Sequence, residues 1–209
     1  MIIADILRGR KNEGEGYREF TEADFLADED HPGKTYLPWA KEHYGEWLKD
    51  FQKDAPAKAM TKHPGTEEGR LFDALSEYCG FKSKMLKDDE IEIISKEFTK
   101  PVSEIDENII VYRLDNRDPD EISEGKIIKW NGFLSTGLIK ERLLNNKEFN
   151  MGNILLRILV PKGVHGLYLE FISHRHEEQE MLFPWNSRME IIKVTGNGKL
   201  IEVTVKLLV

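Results

Sequence analysis

The hydrophobic period changes partway along the chain, and that change restricts the folds open to it. Before about residue 100 the apolar positions recur at helical spacing; after about residue 108 they fall in short β-branched runs. Thr35 is expected to cap a first helix with Pro38 in its opening turn. Tyr36, Ala40, Tyr44, Trp47, Leu48 and Phe51 then make one apolar stripe, which reads as core rather than as a cofactor box. Pro64 and Gly65 break the pattern. A second helix is expected from Thr66, with Leu71, Phe72, Leu75 and Tyr78 inward and Gly80 at its stop. A third follows Asp88-Asp89, with Ile91, Ile94 and Phe98 on one face and Pro101 at its end. Thr21 to Phe25 reads as a short helical turn.

Strands are expected over 109–113, 127–135, 154–160, 167–172, 181–183, 189–194 and 200–208, with Gly163, Gly166, Pro184, Gly196 and Gly198 as punctuation. The last two runs read as a hairpin closed by Thr195-Gly196-Asn197-Gly198. Helices first and strands later indicate an α+β class, not a doubly wound parallel sheet. The expectation is one domain over 1–209, with a helical part over about 1–105 and a β-rich part over about 106–209. No Gly-rich phosphate loop is visible, so neither a Rossmann fold nor a P-loop is supported.

Charge and cysteine usage exclude several classes. The formal net charge is −8, which disfavours a general nucleic-acid binder. One cysteine, Cys79, excludes an internal disulfide framework and reads as a small buried hydrophobe. No apolar run approaches the roughly 20 residues that span a bilayer, so membrane insertion is not expected. The N-terminal stretch has an acid inside its short apolar segment and lacks a signal-peptide core.

The second half contains the residues fit for chemistry. Glu178-Gln179-Glu180 precedes the apolar run Met181-Leu182-Phe183. Strand alternation would put both carboxylates on one face; a solvated acidic turn is the plainer alternative. Arg113 follows four mostly apolar residues and should seek an anion, either a ligand or a neighbour such as Asp115. Ser135-Thr136 closes another strand; its hydroxyls suit either orienting a carboxylate or ordinary strand-end bonding. His174 and His176 flank Arg175, but no third convergent ligand is evident and no metal is implied.

Arg113, Ser135-Thr136 and Glu178-x-Glu180 occur in that order, each at an expected strand edge. The set resembles the arginine–serine–glutamate class of mono-ADP-ribosyltransferases, with likeness to the enzymatic components of bacterial binary toxins and the vegetative insecticidal toxin. The flanks agree: residues 39–48 resemble the family's early helix, Val111-Tyr112-Arg113 its arginine strand, and 154–163 the strand after the serine motif. Glu180-Met181-Leu182-Phe183-Pro184 and the terminal hairpin resemble its closing strands.

The resemblance implies helices packed on a two-sheet β core, and NAD as substrate without a metal. It implies that Glu180, Glu178 and Ser135 carry catalysis. Arg113, Ser135, Thr136, Glu180, Arg142 and Phe149 would contact or shape the NAD site. Glu180 would bind the nicotinamide ribose and stabilise the oxocarbenium ion. Glu178 would pair with a target arginine, since a Glu there accompanies arginine acceptors and a Gln asparagine acceptors. Three departures stand out. Gly137 replaces the usual third serine-motif Ser, Leu114 follows Arg113 where Gly or Arg is common, and loop 173–177 lacks an aromatic, which counts against actin as target. Arg117 or Arg142 is the candidate replacement phosphate contact, and Phe149 suits nicotinamide stacking or core packing equally. The implied partners are a target protein and a separate translocation component, with action in the cytoplasm of a target cell after secretion or delivery. NAD hydrolysis without transfer, or a catalytically silent module of the same fold, are the competing functions.

Overall fold

The computed structural model describes residues 16–27, 35–47, 74, 86–145, 152–170, 179–196 and 200–208. Its strands are β1 (Leu26–Ala27), β2 (Thr35–Tyr36), β3 (Ile109–Asp115), β4 (Ile127–Lys129) and β5 (Phe133–Gly137). They continue with β6 (Ile154–Val160), β7 (Leu167–Tyr168), β8 (Glu180–Trp185), β9 (Arg188–Thr195) and β10 (Ile201–Leu208). Its helices are α1 (residues 38–47), α2 (Asp88–Glu97) and α3 (Lys140–Asn145). This is a mixed α and β fold with one large sheet.

Helix α1 starts at Pro38, whose fixed φ and missing N–H cost nothing in a first turn. Lys41 N–H bonds Leu37 O at 3.0 Å. Thr35 is therefore not the cap expected of it; it pairs with Ala27 in the β1–β2 ribbon. Ala40, Tyr44 and Trp47 of the expected stripe are buried, whereas Tyr36 is half-buried in β2 and the neighbouring Leu37 is buried in its place. The Tyr44 hydroxyl bonds Gly166 O at 3.0 Å and ties α1 to the chain entering β7. A buried carboxylate fastens α1 to α2: Glu97 accepts from Trp47 Nε1 at 3.0 Å and pairs with Lys100 at 2.6 Å. A buried charge needs such partners on both oxygens. Of the expected second helix, Ala74 is described; it is helical and buried. Its remaining residues, together with Leu48, Phe51 and Cys79, lie outside the described residues. The 3-10 turn Glu22–Asp24, boxed by Thr21 and Asp24, matches the short turn read at 21–25.

Eight strands form one hydrogen-bonded order, β4-β9-β10-β6-β3-β5-β8-β7. The expected pair of sheets is thus joined, but by a seam one residue wide: β3 meets β5 only at Tyr112 opposite Gly137. Arg18 takes the remaining edge of β3 beside Ile109. Strands β3 and β6 are covered on both faces. Ile109 and Val111 join the main core with Ile154, Leu156, Ile158 and Val160, while Ile110 and Tyr112 join a smaller cluster with Leu155 and Leu159. Two covered faces explain their near-continuous apolar runs.

Several strand expectations need correction; of 167–172, only Leu167–Tyr168 is strand among the described residues. Residues 127–135 are not one strand. The chain turns at Gly132, φ +107°, and exchanges β9 as partner of β4 for β8 as partner of β5. Pro184 does not end its strand; β8 runs through it to Trp185. Phe133 and Leu134 face Trp185 and Phe183, so Pro184 is the unpaired extra residue of β8, where a missing ladder donor is tolerated. Strand β3 extends past Arg113 to Asp115. Helix α3 had no sequence reading; its six residues carry Leu143 and Leu144 against the smaller cluster.

Candidate active site

Antiparallel register sets the first contact. Gly137 stands opposite Glu180, and Ser135 opposite Leu182, so Ser135 and Glu180 are diagonal neighbours on one face. The Ser135 hydroxyl donates to Glu180 Oε1. Glu180 is 1% exposed, and its main chain is held from the other side, Leu169 N–H bonding Glu180 O at 2.9 Å. Thr136 points to the opposite face and bonds Met181 O at 2.9 Å, stapling β5 to β8. The missing third hydroxyl of the serine motif, at Gly137, is the one that would face Glu180 directly.

Arg113 joins this pair from β3. Its Nη1 donates to the carbonyl of Ser135, and its guanidinium lies over the ring of Trp130, 4.2 Å from the centroid. Asp115, the salt-bridge alternative for Arg113, pairs instead with Arg117 at 3.3 Å. Arginine, serine and glutamate are therefore linked in series through Ser135, beside the narrow β3–β5 seam at Tyr112 and Gly137.

Strand alternation ends at Glu180. Gln179 has φ +49°, so the period-two argument does not extend to Glu178, which lies outside the described residues along with Phe149, His174 and His176. Among the described residues no group of three His, Cys, Asp or Glu is placed to hold a metal ion.

A fixed, buried carboxylate beside an arginine suits a reaction in which positive charge grows on a sugar carbon next to a phosphate-bearing substrate. The comparison with known families agrees. The model of the ADP-ribosyltransferase exoenzymes matches residues 38–207. The chain belongs to that family. Its reaction class is therefore NAD-dependent ADP-ribosyl transfer.

No curated protein matches this ADP-ribosyltransferase in sequence. Solved structures match it in fold. The C3 exoenzyme of Clostridium limosum superposes with TM-score 0.64 at 22% identity, over 92% of this chain and 98% of that one. C3stau2 from S. aureus, solved with NAD, gives 0.62 at 15%, over 92% and 99%. The enzymatic component C2-I of the C2 toxin from Clostridium botulinum gives 0.54 at 19%, over 83% of this chain and 48% of that longer one.

Arg142 of this ADP-ribosyltransferase is engaged by a carboxylate: Glu22 takes its Nε and Nη2 at 2.6 and 2.7 Å. That pair lowers the Glu22 pKa, chiefly through the hydrogen bond to Arg142. The same guanidinium reaches Thr35 Oγ1 at 3.4 Å and covers the Phe25 ring. Sequence reasoning missed Trp130, Tyr168, Glu170 and the buried state of Gln179. Trp130 was absorbed into a strand that does not exist as one piece. Glu170 carried a signal: an acid inside the apolar run 167–172 needs a partner if it is buried.

Proposed function

We propose that this enzyme transfers ADP-ribose from NAD to an arginine of a target protein, with Glu180 breaking the nicotinamide–ribose bond. The contact between Ser135 and Glu180 carries the reading. A carboxylate aimed by a serine, in a buried site, is a preplaced negative group that strengthens as the oxocarbenium ion forms. Arg113 would hold the NAD diphosphate with the two-toothed geometry a guanidinium offers. Thr136 would support the pocket wall, Arg142 would supply a further phosphate contact once released from Glu22, and Phe149 would stack on nicotinamide. Glu178 would orient the cationic arginine acceptor and take its proton, which a carboxylate does better than an amide. A linked Arg113–Ser135–Glu180 set argues against a catalytically silent module.

Delivery by a separate translocation component fits the likeness to C2-I, itself the enzymatic component of a toxin. The place of action would then be the cytoplasm of the recipient cell.

The test uses labelled NAD with and without host-cell extract. Transfer predicts a labelled protein with ADP-ribose mapped to arginine by mass spectrometry. Glu178→Gln should keep nicotinamide release and lose labelling. Label on another residue type, or equal loss of both activities, contradicts the arginine assignment. Nicotinamide release with no labelled protein in any extract favours NAD hydrolysis as the main activity.

A further inference from the structure

Gln179 sits between the two glutamates of the motif, yet it is wholly buried, with 0% exposure. It adopts φ +49°, a left-handed conformation that is strained for a non-glycine residue and persists only where its surroundings enforce it. The enforcement is visible. Its N–H donates to Glu170 Oε2 at 2.9 Å. Its C=O accepts from Leu138 N–H at 3.1 Å. Its side-chain oxygen accepts from the Tyr168 hydroxyl, and its amide nitrogen reaches Thr35 O at 3.4 Å. Every polar group of Gln179 is engaged. Its charged partner among the described residues is Glu170, 3% exposed, and a charged acceptor makes a hydrogen bond roughly twice as strong as a neutral one.

The next residue is Glu180. Its Cα is placed by the peptide that follows Gln179, so whatever fixes the left-handed turn fixes the origin of the Glu180 side chain. Two ladder-type bonds, Leu138 to Gln179 and Leu169 to Glu180, hold the peptide laterally. Glu170 alone among these groups bonds the Gln179 N–H, the atom that a relaxed, extended Gln179 would turn elsewhere.

We propose that Glu170 is a positioning residue for NAD cleavage: its buried carboxylate holds the Gln179 N–H, locks the left-handed turn, and so aims Glu180 at the ribose. This rests on Glu180 being the catalytic carboxylate. Glu170 touches no substrate in this scheme and acts on turnover through Glu180. NAD affinity, dominated by other groups, should be unaffected.

The experiment measures nicotinamide release and direct NAD binding for Glu170→Ala and Glu170→Gln, each alone and combined with Glu180→Gln, with thermal unfolding to verify folding. Glu170→Ala is expected to lower kcat about 10- to 100-fold, the size of a lost charge-assisted hydrogen bond, with Kd for NAD changed less than about twofold. Glu170→Gln keeps an acceptor oxygen without the charge, and should lose about 3- to 10-fold. In the Glu180→Gln background either change should cost less than about twofold further, because coupled residues are not additive. A folded Glu170→Ala within twofold of wild-type kcat overturns the proposal. So does a full loss repeated in the Glu180→Gln background, or a matching loss of NAD affinity. If the alanine variant does not fold, a glutamine variant within twofold of wild type overturns it. Glu180→Gln alone separates the two ideas: a near-wild-type rate there overturns the catalytic assignment and Glu170 with it, whereas failure of Glu170 alone leaves Glu180→Gln crippled.

Discussion

Ser135 donates its hydroxyl to Oε1 of Glu180 across two adjacent strands, while its own carbonyl accepts from Arg113. One small residue thus connects the group proposed to break NAD with the group proposed to hold its diphosphate. Replacing Ser135 by Ala removes the hydroxyl and leaves the carbonyl. We expect kcat for nicotinamide release to fall about 10- to 100-fold, as for one hydrogen bond to a charged group, with KM changed much less. Steady-state kinetics on the purified variant checks this; a KM effect alone would place Ser135 in substrate binding instead.

Trp130 supports Arg113 from the other side, ring to guanidinium at 4.2 Å. A contact of that kind contributes about 0.5–2 kcal/mol, depending on how far it is desolvated. Trp130→Leu keeps apolar bulk and removes the π face. Calorimetric titration is expected to show NAD binding weakened about 2- to 30-fold, with unfolding temperature little changed. Unaltered affinity would mean that Arg113 is positioned without the ring.

Glu22 occupies the fork of Arg142, the candidate second phosphate contact. If Arg142 meets the diphosphate, Glu22 competes with it. Glu22→Gln is therefore expected to tighten NAD binding about two- to fivefold, since a neutral amide holds the guanidinium about half as strongly. Arg142→Gln should weaken binding. The pair also gives a pH signature. The folded pKa of Glu22 lies below its ordinary value, so the pair stabilises the fold above the ordinary glutamate range. That contribution is lost as pH falls through the lowered pKa. Glu22 is about half exposed, so the amount is below about 1 kcal/mol. Thermal unfolding of wild type and Glu22→Gln should differ near neutral pH and converge in acid.

Much of this was legible in the sequence. Strands β3 and β6 announced themselves because they are covered on both faces and read as unbroken apolar runs. Helix α2 followed from the spacing of Ile94 and Phe98 after two acids. Arg113, Ser135 and Glu180 were recoverable as an ordered set, and the structure brings these three together. What stayed hidden depends on tertiary partners. Residues 127–135 look like one strand, because nothing local reveals that they pair first with β9 and then with β8. Thr35 looks like a helix cap until its pairing with Ala27 is known. A solvated acidic turn is the plainer reading of Glu178-Gln179-Glu180; only the packing of Tyr168, Glu170 and Thr35 around Gln179 shows that residue to be buried. Helix α3 is too short to carry a period of its own.

The most direct test of the catalytic assignment is nicotinamide release from NAD by Glu180→Gln, measured beside wild type with NAD binding followed separately. Glutamine keeps the shape and removes the negative charge that would face the oxocarbenium ion. We expect the rate to drop at least about a hundredfold, comparable to removing one electrostatic stabiliser, while NAD still binds. A folded Glu180→Gln variant that releases nicotinamide at close to the wild-type rate would contradict Glu180 as the catalytic carboxylate.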